Sequence, residues 1–177
     1  MTIDPVTEGA AYQQLLLSLL GDDDPAEAQA VTPGRLRELV REAGDDLRRR
    51  PEPAEWSVVE CVGHIVDAEL VSSARYRWIL SHDRPELAPY DQDLWAERLR
   101  HREADPDELL ALFEALRAAN LALWARTPVE ERSRYGVHLE RGEESYELTF
   151  KLLAGHDRFH LAQARQALER IRADRRD

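Results

Sequence analysis

The chain has 177 residues, 43% hydrophobic and 33% charged, enough to bury the core of one domain and too apolar for a disordered segment. Its net charge of −11, from 24 Lys and Arg against 35 Asp and Glu, opposes binding to nucleic acid or to an anionic membrane, which both need a basic footprint. The single cysteine, Cys61, excludes an internal disulfide and a CxxC site. With no signal-peptide pattern and no apolar run of membrane length, a cytoplasmic protein is expected.

Capping signals divide the chain into helices. "AYQQLLLSLL" reads as a first apolar helix ending at Gly21, and Asp24 followed by Pro25 reads as a cap and first helical position. Thr32 and Pro33 open the next helix, with Leu36, Leu39, Val40, Ala43 and Leu47 at helical spacing, "DLRRR" at its C-terminus, and Pro51 and Pro53 as the stop. "SVVE" at 57–60 is a capping box that starts a helix running to Leu80. "RPELAPYDQDLWAERLR" reads as a loop and a short helix. "DPDE" at 105–108 reads as a second box, opening a helix to Arg126. "TPVEERSRYGVHLERGEES" reads as a turn and an irregular loop, in which "RYGVHLE" alternates too briefly to pair as a strand. A last helix runs from Ser145 to 172. The expected fold is all-α: one domain over 1–177, with a four-helix bundle over 32–172 and an N-terminal helical extension over 1–31.

Six histidines are present, at 64, 82, 101, 138, 156 and 160. In "GHDRFHLAQ", His156 and His160 stand four apart on a face shared with Leu153, Ala164, Ala167 and Ile171, so both imidazoles are expected to point inward. A buried imidazole pair needs partners, either a metal ion or hydrogen-bonding carboxylates. His64 lies on the apolar helix "SVVECVGHIVDAE" beside Val62, Ile65 and Val66. From a facing helix it would complete a three-histidine set with positions left for water or substrate. Such a set suits Zn, Ni, Fe or Cu. Asp67 is the candidate to orient an imidazole or to act as acid or base, and Glu60 is expected to serve the capping box. Asp157 points about 100° away from the pair, toward solvent or an arginine. Cys61 is expected as a buried hydrophobe, and His138 as an exposed loop residue or a cover for one end of the site. His82 and His101 have no evident partner. Trp56, Trp78, Trp95 and Trp124 are expected in packing.

Three stretches, "EWSVVECVGHIVDAE", "RPELAPYDQDLWAERLR" and "GVHLERGEESYELTFKLLAGHDRFHLAQ", resemble the DinB/YfiT-like superfamily, in particular its DinB-like domain branch. The resemblance spans about 12–170 and includes the Trp-Ser opening, the GH of the second long helix and the terminal HDxxH. It implies a four-helix bundle of unusual up-and-down topology. It also implies a divalent metal, nickel or zinc, held by His64, His156 and His160, and a homodimer as a common assembly.

For function, the resemblance implies a metal-dependent enzyme acting on a small molecule. The first expectation is thiol-dependent S-transferase chemistry on an electrophile, in detoxification or stress, with the metal activating a low-molecular-weight thiol. The alternatives are a hydrolase using metal-activated water, a non-catalytic module stabilised by metal, and a metal-free bundle with hydrogen-bonded histidines.

Overall fold

The computed structural model describes residues 9–175, so the first eight residues of the expected extension and the last two of the chain lie outside the described residues. Helix α1 (Gly9–Leu20) ends where Gly21 takes a φ of 62°. Helix α2 (Pro25–Ala30) is capped by Asp24, whose carboxylate accepts from the N–H groups of Ala26 and Glu27 at 2.8 and 2.9 Å. Helix α3 (Thr32–Ala43) starts at Thr32 rather than after it, because the Thr32 hydroxyl donates to Asp157 at 2.8 Å instead of capping. It stops at Gly44, with φ 51°, and Leu47 falls beyond a short 3-10 turn. The arginines of "DLRRR" therefore lie past the helix end. Arg50 reaches Glu60, its Nε donating at 3.0 and 3.2 Å, while Arg48 and Arg102 donate to one another's backbone carbonyls.

Helix α4 (Val58–Ser81) is the axis of the molecule. Every side chain from Val58 to Glu69 is buried, as expected of a helix packed all round. At its start Glu60 accepts the Ser57 N–H at 2.8 Å, the return arm of the expected box. Helix α5 (Gln92–Arg98) is the short helix foreseen after the loop. Helix α6 (Pro106–Arg126) is capped by Asp105 through the Asp107 N–H at 2.8 Å, and Glu108 makes no return bond among the described residues. Helix α7 (Tyr146–Ala173) begins where the Ser145 hydroxyl accepts the Leu148 N–H at 3.0 Å.

The expectation of no paired strand is wrong. Strand β1 (Glu86–Leu87) runs parallel to β2 (Tyr135–His138), which pairs antiparallel with β3 (Gly142–Ser145), placing Tyr135 opposite Ser145 and His138 opposite Gly142. Strand β3, "GEES", lacks the apolar alternation that marks a strand, and β1 has two residues, so neither leaves a periodic signal. The hairpin is held instead by packing: a Cβ on Gly136 would stand 2.8 Å from the Leu87 side chain and the Pro85 carbonyl.

Helices α3, α4, α6 and α7 form the bundle, α1 packs along α7, and α2 packs on α6 and α7. One apolar cluster gathers Leu36, Leu39, Val62, Ile65, Phe113 and Leu168, and another gathers Tyr76, Ile79, Trp124, Tyr146 and Phe150. A charged layer separates them. Arg117 of α6, 1% exposed, donates to Glu69 of α4 at 2.7 and 3.0 Å, to Asp157 of α7 at 2.7 Å and to the Gln29 carbonyl in the last turn of α2 at 2.8 Å. Asp157 thus faces an arginine, buried rather than at the surface. No helix among the described residues is long and apolar enough to cross a membrane.

Candidate metal centre

Two Gly-His pairs build the centre, one on each facing helix. A Cβ on Gly155 of α7 would lie 2.0 Å from the Leu16 carbonyl oxygen, so only glycine lets α1 press onto α7 there. A Cβ on Gly63 of α4 would lie 2.5 Å from the His101 ring, so glycine again admits a neighbour one residue before the histidine. His64, His156 and His160 are buried, with exposures of 2, 9 and 3%. Their rings converge: His64 Nε2 is 2.9 Å from His156 Nε2 and 3.2 Å from His160 Nε2, and one ligand atom from each of the three lies within 4.8 Å of the others.

The donor set fits a divalent ion. Nitrogens about 2.0–2.1 Å from a zinc-like ion stand about 3.3 Å apart at the tetrahedral angle and about 2.9 Å apart at a right angle, which brackets the two separations. A neutral imidazole carries one proton and cannot aim it at two neighbours, whereas one cation satisfies three converging lone pairs. Burial, reinforced by the neighbouring imidazoles, pushes the pKa of His64 and His156 well below the usual histidine range. Burial pushes His160 down to about 4, opposed by its bond to Gln163. All three rings are therefore neutral near pH 7, the form that ligates. His160 Nδ1 lies 2.8 Å from Gln163 Oε1, which fixes the tautomer that leaves Nε2 free. The Nδ1 atoms of His64 and His156 are buried without a hydrogen-bond partner among the described residues.

Trp56 walls one side, its ring centroid 5.0 Å from that of His64 and 6.1 Å from that of His160. From α1, the Tyr12 hydroxyl stands 3.5 Å from His160 Nε2, and burial raises its pKa to about 12, so it stays a proton donor. On the other side His64 and His156 open into a cleft of about 110 Å³ that also presents Tyr12, Arg75, His138 and Glu144.

Several expectations need correction. Asp67 does not reach the cluster; its Oδ2 lies 2.6 Å from His101 Nε2, in a buried pair behind Gly63, which gives His101 the partner the sequence did not reveal. His138 is 1% exposed, on β2 rather than in an exposed loop, and lines the cleft. Cys61, by contrast, is fully buried as expected and does not join the donor cluster. Trp78 is 44% exposed, whereas Trp124 stacks on Phe150 in the core at 4.0 Å. Arg75 was missed, although a helical wheel carries its signal: His64, Ala68, Val71, Ser72 and Arg75 fall on one face of α4, and all line the cleft.

A helical bundle with a three-histidine cluster at the head of a cleft defines the class. The chain belongs to the DinB superfamily, whose family model matches residues 27–164. It is similar to the "Putative metal-dependent hydrolase YfiT" of Bacillus subtilis, with 27% identity over 142 residues, 78% of this chain and 79% of that protein. It is also similar to a "Putative metal-dependent hydrolase" of Bacillus cereus, with 28% identity over 116 residues, 66% of each chain. Among solved structures it matches one described as "YfiT from Bacillus subtilis is a probable metal-dependent hydrolase with an unusual four-helix bundle topology". That match has a TM-score of 0.74 and 22% identity, covers 93% of this chain and 88% of the other, and supports the four-helix bundle.

Proposed function

We propose that the protein is a divalent-metal-dependent hydrolase of a small molecule, with His64, His156 and His160 as the ligands. The observation that carries this reading is the convergence of three buried, neutral Nε2 donors at the head of an open cleft. Three protein ligands leave a position for water or substrate, the pattern of catalytic rather than structural sites. When bound, the ion supplies Lewis acidity and lowers the pKa of a water at neutral pH. The chain's own groups do the rest. Trp56 excludes bulk water from one flank, His160 is held in its tautomer by Gln163, and Tyr12 offers a proton-bearing hydroxyl beside the cluster. Nickel and zinc both accept three imidazoles.

The thiol-dependent transferase that the family resemblance placed first moves behind the hydrolase. The relatives are described as hydrolases, and no group in the cleft among the described residues selects a thiol. The test is elemental analysis of protein purified without an affinity tag, followed by assays of the loaded protein. Near-stoichiometric divalent metal, lost in His64→Ala, His156→Ala and His160→Ala, is expected, together with turnover within an ester and amide panel. A metal-free wild type defeats the proposal. Turnover confined to a low-molecular-weight thiol plus an electrophile restores the transferase.

A further inference from the structure

The cleft beside the histidines holds a buried cation that is bonded to no carboxylate among the described residues. Arg75 of α4 is 7% exposed and lines the cleft. The other buried or half-buried arginines of this region have carboxylates: Arg117 has Glu69 and Asp157, and Arg141 has Glu144. Among the described residues Arg75 has none. Its Nη2 donates to the Ala88 carbonyl at 2.6 Å and faces His138 Nε2 at 3.2 Å, while its Nε is buried without a partner.

The His138 contact is weaker than it looks. Its Nδ1 already accepts the Glu140 N–H at 3.2 Å, and burial holds its pKa down to about 4, so the ring is neutral near pH 7. A neutral imidazole has one acceptor nitrogen and cannot serve both donors. Glu144, the nearby buried carboxylate, is committed: Gln13 and Arg141 donate to its Oε1 at 2.7 and 2.6 Å, and Arg141 to its Oε2 at 3.2 Å. Glu140 also lines the cleft but is exposed, where water screens it. A buried guanidinium with a single carbonyl partner is costly unless a ligand completes its set. Burial and the neighbouring Arg141 lower the Arg75 pKa despite the opposing charge of Glu144, the direction that a bound anion would reverse.

We propose that Arg75 is the anion-recognition residue of this cleft and receives the carboxylate of an elongated small molecule whose other end lies at the histidines. The proposal rests on the metal-site reading for the second half of that statement only. Arg75 is eleven residues beyond His64 on the same face of α4, about 16 Å of helix rise, and its side chain leans back toward the N-terminus. The ligand's anionic group is therefore several bonds from the group at the histidines. Val71, Pro89, Leu152 and Leu153 line the space between and suit an apolar chain.

The experiment compares hexanoate with its uncharged isostere hexanamide, and with inorganic phosphate, by calorimetric titration. It uses metal-loaded wild type, Arg75→Gln and Arg75→Lys, with the metal content of each recorded, and His64→Ala. Wild type is expected to bind hexanoate about tenfold or more tighter than hexanamide, as charge-assisted hydrogen bonds require. Arg75→Gln should lose about tenfold or more for hexanoate while keeping its hexanamide affinity and metal content, and Arg75→Lys should fall between. His64→Ala should keep the preference for the acid, because Arg75 rather than the ion reads it. Equal affinity of wild type for acid and amide, undiminished hexanoate binding by Arg75→Gln, loss of the preference in His64→Ala, or a preference for phosphate over hexanoate each overturns the assignment. If Arg75→Gln does not fold, Arg75→Lys and the acid–amide comparison in wild type and His64→Ala decide. Wild type that prefers the acid but holds no metal leaves this site standing and removes the hydrolase; wild type that holds metal without the preference does the reverse.

Discussion

Replacing Arg117 with Leu tests whether the charged layer holds the bundle together. The change strands two carboxylates, Glu69 and Asp157, at 0 and 1% exposure, with no other cation bonded to either among the described residues. Breaking a buried ion pair from one side costs about 3–5 kcal/mol. For a chain of about 150–250 residues each kcal/mol lowers the Tm by about 2–4 °C, so a fall of about 6–20 °C is expected at pH 7. The pH dependence gives a sharper check. Burial raises the Glu69 pKa, and Arg117 is the group that opposes this most. Without Arg117 the folded pKa stands further above the unfolded value of about 4.3. Protonation then favours the folded state, so the defect is largest at pH 7 and above and shrinks as the pH falls toward about 5. Urea unfolding of both proteins at pH 5, 6, 7 and 8 measures this. The triple change Arg117→Met, Glu69→Met, Asp157→Leu strands no charge and should recover most of the loss. A loss under about 1 kcal/mol at pH 7, or a defect independent of pH, refutes the reasoning.

Three further outcomes are expected. Stripping metal with a chelator should lower the Tm in calorimetry; at free metal of about a thousand times Kd the lost stabilisation is about 4 kcal/mol, or about 8–16 °C, and the His160→Ala protein should show no such shift. Gly155→Ala drives a methyl group to within 2.0 Å of the Leu16 carbonyl, so α1 must move away. It should destabilise by about 1–3 kcal/mol in urea and, by withdrawing Tyr12, reduce turnover while metal content stays unchanged. Cys61 is fully buried, and burial, with Glu60 nearby, pushes its thiol pKa up, so a disulfide reagent should label it at the rate of global unfolding, whereas fast labelling of native protein would contradict the packing.

The helices were legible because each carries its own local signals. Asp24-Pro25, Ser57 with Glu60, Asp105-Pro106 and Ser145 set the starts of α2, α4, α6 and α7. The three histidines were legible because α4 and α7 are apolar enough around them to force the rings inward. What the sequence hid was pairing at long range. Residues 34 apart join Asp67 to His101, and 40 apart join Arg117 to Asp157, and no periodicity encodes either. The hairpin went unread for the same reason. "YGVH" finds its partners in a two-residue strand some fifty residues earlier and in a polar segment, so its pairing is a tertiary event.

The charged layer and the histidine cluster lie on different faces of one pair of helices. On α4, Glu69 follows His64 by five residues, about 140° around the axis; on α7, Asp157 follows His156 by one, about 100°. Each helix thus gives an imidazole to the cleft and a carboxylate to Arg117. Leucine and valine layers alone tolerate slack between helices, because alternative rotamers fill similar volumes. A planar guanidinium that donates to both carboxylates at 2.7 Å tolerates little, since a shift of α7 along α4 lengthens one bond or the other. A metal site demands ligand distances within about 0.2 Å, a tolerance that the apolar layers cannot enforce. Glu69, Arg117 and Asp157 therefore fix the axial register that brings His64 Nε2 to 2.9 Å from His156 Nε2, and the desolvation of three charges is the cost of that register.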